Sequence, residues 1–211
     1  MGVMELAGRV IDVVTNQDNF SDCLRELLDE LKGPEKPSHW RMVLRIAALC
    51  HDLGRQPLSH AAERHLLPAG WNHERLTRGI IESDEMQETW NKLTPPLRSD
   101  DIVILAVGKR HANDLEFSDW QAILSEIIAG DAFGGDRIDC RLRDSHHAGV
   151  GFGKLNHHWL IDTGSWSAAR ARSIRQAGNE AFRSLPQRDC VPPQAGLSAV
   201  EFPRPPSRAP W

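Results

Sequence analysis

Within 24 residues the chain carries His51, Asp52, His60, His65, His73 and Glu74, its densest group of side chains able to hold a metal or move a proton. An imidazole beside a carboxylate suits a borderline or hard divalent cation such as Zn, Fe, Mn or Mg. The pair follows a run of helical periodicity. At a helix C-terminus the unpaired carbonyls and the macrodipole make the local potential negative, which again favours a cation. By itself a His-Asp pair is weak evidence, because surface and capping roles produce such pairs cheaply.

The elements that must position these residues read as helices throughout. Val3, Leu6, Ala7, Val10, Ile11 and Val14 fall at helical spacing, with no cap ahead of them. Ser21 precedes a second amphipathic run through Leu24, Leu27, Leu28 and Leu31, closed by Gly33 and Pro34. Ser38 opens a third through Trp40, Val43, Ile46, Ala47 and Cys50, which Gly54 stops just past His51 and Asp52. A short helix after Ser59, one from Asn72 through Leu76 and Ile80, and one from Ser99 to Val107 ending at Gly108 obey the same rules. Ser118 and Gln121 form a capping-box pattern, and the helix they open is expected to run on through Asp136 to about Arg143. No alternating segment competes, so the expected fold class is all-α. Trp40, Trp90 and Trp120 lie within or beside apolar helical patterns and are expected in the core.

The stretch Ala47-Ala48-Leu49-Cys50-His51-Asp52-Leu53-Gly54-Arg55-Gln56-Pro57-Leu58-Ser59-His60 resembles the signature of HD-domain phosphohydrolases. Trp71-Asn72-His73-Glu74 is similar to that family's His-Glu motif. Gly130 to Asp139, with Arg143 to Val150, is similar to its C-terminal metal and substrate motif, and the three together resemble the branch of deoxynucleoside triphosphate triphosphohydrolases. The resemblance covers roughly residues 2 to 162 and implies an HD-domain helical bundle. It implies metal ligands at His51, Asp52 and Asp136, with His60 as a proton-transfer residue and His73 and Glu74 supporting the attacking water. It further implies a phosphate contact at Arg137 and a sugar contact at Asp144. The implied cofactor is a divalent metal (Mn, Mg, Fe or Zn), the implied partner a nucleotide substrate, and a homo-oligomer is a further implication.

Three positions depart from the family pattern. The resemblance implies a further His ligand followed by two residues and Gly-Val; residues 1 to 38 hold no His, which places that ligand just upstream of Met1-Gly2-Val3 and predicts impaired activity. His39 does not replace it on the same helix, since twelve residues at about 1.5 Å each set it roughly 18 Å from His51. Arg55 stands where the signature has a second His; it suits a phosphate but accepts no proton at neutral pH. Cys140 stands where the family has Tyr, in a chain without any Tyr. An HD phosphohydrolase of another nucleotide and a non-catalytic nucleotide-binding module keeping Arg137 and Asp144 are the alternative readings.

Composition sets the boundaries. The chain has 211 residues and a net charge of -4, which argues against a surface that grips nucleic acid throughout. That average hides a break: residues 1–163 carry 18 basic and 26 acidic side chains, whereas 164–211 carry seven Arg, no Lys and three acids. Only seven of those last 48 residues are Ile, Leu, Val, Met or Phe, and seven of the 13 prolines lie there. The expected organisation is a domain over 1–163 and an Arg-, Pro- and Ser-rich tail over 164–211, either disordered, divergent or frame-shifted. No apolar run has the length of a membrane span, and no leader pattern follows Met1, so the expected location is the cytoplasm. Cys23, Cys50, Cys140 and Cys190 show no CxxC spacing and are expected to be buried thiols. His146, His147, His157 and His158 have no acidic partner at ligand spacing and are not taken as a second metal site.

Overall fold

The computed structural model describes residues 2–16, 36–57, 63, 65–130, 134–151 and 156–162. Among them there is no strand, and eight helices have defined bounds: α1 Gly2–Thr15, α2 Lys36–Cys50, α3 His73–Ile81, α4 Asp84–Lys92, α5 Ser99–Val107, α6 Asp119–Ala129, α7 Gly135–Ala148 and α8 His157–Asp162. The expected all-α class holds. None of these helices is long and apolar enough to cross a membrane. The expected helices at Ser21–Leu31 and after Ser59, and the whole of 164–211, lie outside the described residues.

Burial explains the arrangement. All six residues from Ile102 to Val107 in α5 are buried, and a helix that is apolar on every side belongs in the middle of a bundle. Helices α2, α3 and α6 pack around it, and α1 lies against α2, α6 and α7. The amphipathic stripe of α1, Val3, Leu6, Ala7, Val10, Ile11 and Val14, is buried in the same core as Val43, Leu44 and Ala47 of α2. Trp40, Trp90 and Trp120 are core residues as expected. Each fully buried aliphatic side chain contributes roughly 1.5–3 kcal/mol over its exposed state, so this one cluster carries most of the fold. Helix α7 is different: of its fourteen residues only Gly135, Ile138 and Ser145 are buried, which leaves most of its polar surface available for function.

Three local outcomes differ from expectation. Helix α2 starts at Lys36 rather than Ser38, with Pro37 in its first turn, where a missing N–H costs nothing. Helix α4, opened at Ser83 and carrying Asp84 and Glu85 in its first turn, has too little apolar periodicity to signal itself; Trp90 fixes it by donating its indole N–H to the Ile81 carbonyl at 3.0 Å. The largest difference is that the helix opened at Ser118 does not continue to Arg143. It closes at Gly130, whose ψ of 139° is extended, and α7 starts afresh after Gly134. The two ends meet closely: the Gly134 N–H donates to the Gly130 carbonyl at 3.0 Å, and a Cβ on Gly134 would come within 2.8 Å of three backbone atoms. Glycine at this position is therefore a steric requirement.

Candidate metal centre

Helix α2 ends at Cys50, and the next four residues fold into a turn closed by Leu53 N–H to the Cys50 carbonyl and Arg55 N–H to the Asp52 carbonyl, both at 3.0 Å. Helix α3 clamps this turn. The Gly54 N–H donates to Thr77 Oγ1 at 2.9 Å, and the same hydroxyl reaches back to the His51 carbonyl at 3.4 Å. Gly54 is buried there because α3 leaves no room for a Cβ: one would overlap the His73 carbonyl and the Thr77 nitrogen.

The clamped turn holds His51 in one orientation. Its Nδ1 lies 2.8 Å from the Ala48 carbonyl, an acceptor only, so Nδ1 carries the proton and donates it. In the neutral ring Nε2 is then a bare lone pair. It is buried with no hydrogen-bond partner, and it faces Asp136 Oδ1 at 3.4 Å and Asp52 Oδ2 at 3.6 Å. Asp136 arrives from the first turn of α7, so the break at Gly130–Gly134 is what delivers it. One ligand atom from each of His51, Asp52 and Asp136 lies within 4.8 Å of the others, and among the described residues this is the one group of three so arranged.

The electrostatics are those of a site awaiting positive charge. Burial opposes a proton on His51, but the carboxylates of Asp136 and Asp52 outweigh it and raise the His51 pKa. His51 in turn holds the Asp136 carboxyl below its ordinary range, against the opposing effect of burial. A buried nitrogen lone pair without a donor and two adjacent carboxylates fit a divalent cation with mixed N and O ligands. Arg55 is the cation already on hand: its Nε pairs with Asp52 Oδ2 at 2.8 Å. The residue expected at a phosphate thus sits on a candidate ligand.

The other expected residues fall in two places. His73, buried at the start of α3, donates from Nδ1 to Glu63 Oε1 at 2.6 Å, while its Nε2 lies 3.2 Å from Glu74 Oε1. Glu74 is also 3.8 Å from His111 Nε2. Along α7, Asp136, Cys140 and Asp144 share a stripe at four-residue spacing, and the Cys140 thiol donates to Asp144 at 3.5 Å. Asp144 therefore stands about 12 Å along the helix from Asp136. Arg137 is exposed in the first turn of α7. Asp139 pairs with Arg143 one turn on. His60 lies outside the described residues. Cysteine burial is mixed: Cys50 is buried and its thiol is pushed up to about 11 by desolvation, but Cys140 is exposed, correcting the expectation for that residue. Cys23 and Cys190 are outside the described residues.

Sequence reading missed Thr77, Glu63 and His111. Thr77 carried a signal, since it lies one turn after His73 on the same helix face. Glu63 and His111 carried none, because each meets its partner only through the tertiary fold.

No protein-family model matches the chain, and no solved structure matches it. Curated proteins do. An uncharacterized protein of Bacillus subtilis, YwfO, is 33% identical over 165 residues, covering 76% of this chain and 31% of that protein. The uncharacterized protein MJ1154 of Methanocaldococcus jannaschii is 26% identical over 141 residues, covering 67% of this chain and 26% of that one. The deoxynucleoside triphosphate triphosphohydrolase SAMHD1 of Bos taurus is 29% identical over 174 residues, covering 71% of this chain and 27% of that enzyme. The chain spans under a third of the length of each of these relatives. It is thus an all-α protein distantly similar, over most of its own length, to a deoxynucleoside triphosphate triphosphohydrolase.

Proposed function

We propose that the chain is an HD-type, metal-dependent phosphohydrolase of the cytoplasm that acts on a nucleotide. The specific reaction is conversion of a deoxynucleoside triphosphate and water to a deoxynucleoside and triphosphate, and it is assigned to residues 1–163. The observation that carries this reading is the Nε2 of His51, buried without a hydrogen bond and facing two carboxylates. Similarity to SAMHD1 supports a nucleotide as the substrate class. His51, Asp52 and Asp136 would hold the ion, which when bound polarises a phosphoryl oxygen and makes water more acidic.

The chain's own residues have the following tasks. The domain is acidic overall, so a polyanion needs local positive charge, which Arg137 and Arg55 supply. Asp144 accepts from a sugar hydroxyl, about two turns further along the same stripe of α7 than Asp136. Glu63 accepts the Nδ1 proton of His73 and thereby fixes which ring edge meets Glu74, leaving the His73–Glu74 pair to orient water. His60 transfers the proton.

The test is incubation of the purified chain with each deoxynucleoside triphosphate and manganese, with chromatography for inorganic triphosphate. Release that stops on chelation and in Asp136→Ala is the expected outcome. Monophosphate or pyrophosphate as the only product would overturn the specific reaction.

Arg55 supports a second reading, a module that binds a nucleotide without turning it over. Its guanidinium occupies an oxygen of Asp52 that the metal needs. In Arg55→Gln that oxygen is released, and manganese binding followed by calorimetry is expected to tighten about fivefold, corresponding to the ~1 kcal/mol of a partly exposed ion pair. The KM for nucleotide is expected to rise in the same variant if the guanidinium also meets phosphate. Nucleotide binding that persists in chelator, with no turnover in either form, selects the second reading.

A further inference from the structure

On the outer side of α3, away from the His51 turn, lies a cleft of about 590 Å³ between the start of that helix and the 111–114 segment. Its size is that of a small-molecule site. One wall is Trp71, a large aromatic left 40% exposed, with the Arg75 guanidinium over its ring at 5.2 Å from the centroid. Asn72 and Asn113 also line it. The Asn72 Oδ1 is taken by the Arg75 N–H as the helix cap, which leaves the amide N–H groups of Asn72 as donors.

Gly79, seventh of the nine residues of α3, lines the cleft, and a Cβ built on it would meet nothing within 4 Å. Glycine inside a helix is a poor choice unless a side chain must be absent. Here packing does not exclude a side chain, so the open volume is what glycine preserves. The charge of the cleft is nearly spent as well. Arg78 donates to both oxygens of Asp114, at 2.6 and 2.7 Å, and to Glu82 at 2.8 Å. Arg78 holds Asp114 ionised, with a pKa lowered to about 2. With Arg75 counted against the remaining carboxylate charge, the site offers no net positive field for a polyanion.

We infer that this cleft binds an uncharged planar heterocycle of the nucleoside class, stacked on Trp71, with its edge read by the amides of Asn72 and Asn113. Stacking on an aromatic platform tolerates any base, and the Arg75 guanidinium already stands over one face of that platform. His111, which also lines the cleft, contacts Glu74 and so borders the His73–Glu74 pair. The inference uses none of the metal ligands and stands whether or not the chain is a hydrolase.

Calorimetric titration of the full chain in chelator tests it, with deoxyguanosine, deoxyadenosine, deoxycytidine and thymidine and with their triphosphates as probes. One nucleoside per chain is expected to bind in the cleft at submillimolar concentration, and its triphosphate to bind there no more tightly. Gly79→Leu fills the cleft and is expected to weaken binding more than tenfold while melting at or above the parent temperature. Trp71→Ala is expected to weaken it to a similar extent, and Asp136→Ala to leave it unchanged. Absence of nucleoside binding, binding that survives Gly79→Leu, loss in Asp136→Ala, or a preference for triphosphates that Gly79→Leu abolishes would each overturn the assignment.

Discussion

A chain carrying His51→Ala is expected to lose manganese affinity by at least about 100-fold, and triphosphate release with it. Loss of an outer partner of a metal ligand already costs about 10- to 100-fold, and a direct ligand sets a floor above that range. The substitution removes the one nitrogen donor of the group and leaves Asp52 and Asp136 as two like charges without the imidazole between them. Arg55 remains on Asp52, so the pocket does not collapse electrostatically. The fold loses chiefly the Nδ1 bond to the Ala48 carbonyl, worth about 1 kcal/mol, and melting is expected to fall by only about 2–4 °C. Calorimetry with manganese, melting in chelator and a product assay on the same sample separate these effects. Unchanged metal affinity with an intact fold would show that the cation, if bound, is held elsewhere.

The fold was legible wherever the signal was local. Asn72 capping the Arg75 N–H, the reciprocal Ser118–Gln121 box and the positive-φ Gly108 after Val107 each act within a few residues, and each is present as read. The core tryptophans followed from periodicity. Failures came where two local signals conflicted or none existed. From Trp120 to Ile138 apolar residues recur at helical spacing, but α6 closes at Gly130 and α7 opens after Gly134, and periodicity does not register a break that preserves it. Helix α4 is polar except for Trp90, so its hydrophobic stripe was too sparse to read.

The candidate centre was legible as a set of residue types, and the structure brings His51, Asp52 and Asp136 together although 84 positions separate the first from the last. The role of Arg55 was less legible. A guanidinium three residues after a carboxylate reads equally well as a phosphate contact or as an ion pair, and only the folded turn decides which partner it meets in the absence of nucleotide. The links from His73 to Glu63 and from Glu74 to His111 depend on the approach of separate segments, for which no spacing rule exists.

Gly54→Ala is expected to be strongly damaging for a change of one methyl. Its Cβ would overlap the His73 carbonyl, lie 2.6 Å from the Thr77 nitrogen and 2.9 Å from Leu76 Cβ. Two of those three atoms are backbone of α3, so no rotamer change relieves the clash. The helix must retreat from the turn, or the turn from the helix. Either motion lengthens the Gly54 N–H bond to Thr77 and the Thr77 bond to the His51 carbonyl, the pair that fixes the direction of the His51 side chain. Overpacking of this kind costs typically 1–3 kcal/mol, and rigid backbone on the opposing side puts this case at about 3 kcal/mol, a fall in melting temperature of roughly 6–12 °C. Metal affinity is expected to fall with it, because the ligands move even though none is replaced. Gly79→Ala on the same helix is the control: its methyl meets nothing within 4 Å, and melting is expected to hold or rise. Equal melting of the two variants would mean that α3 does not press on the His51 turn, and the positioning of the whole centre would need another cause.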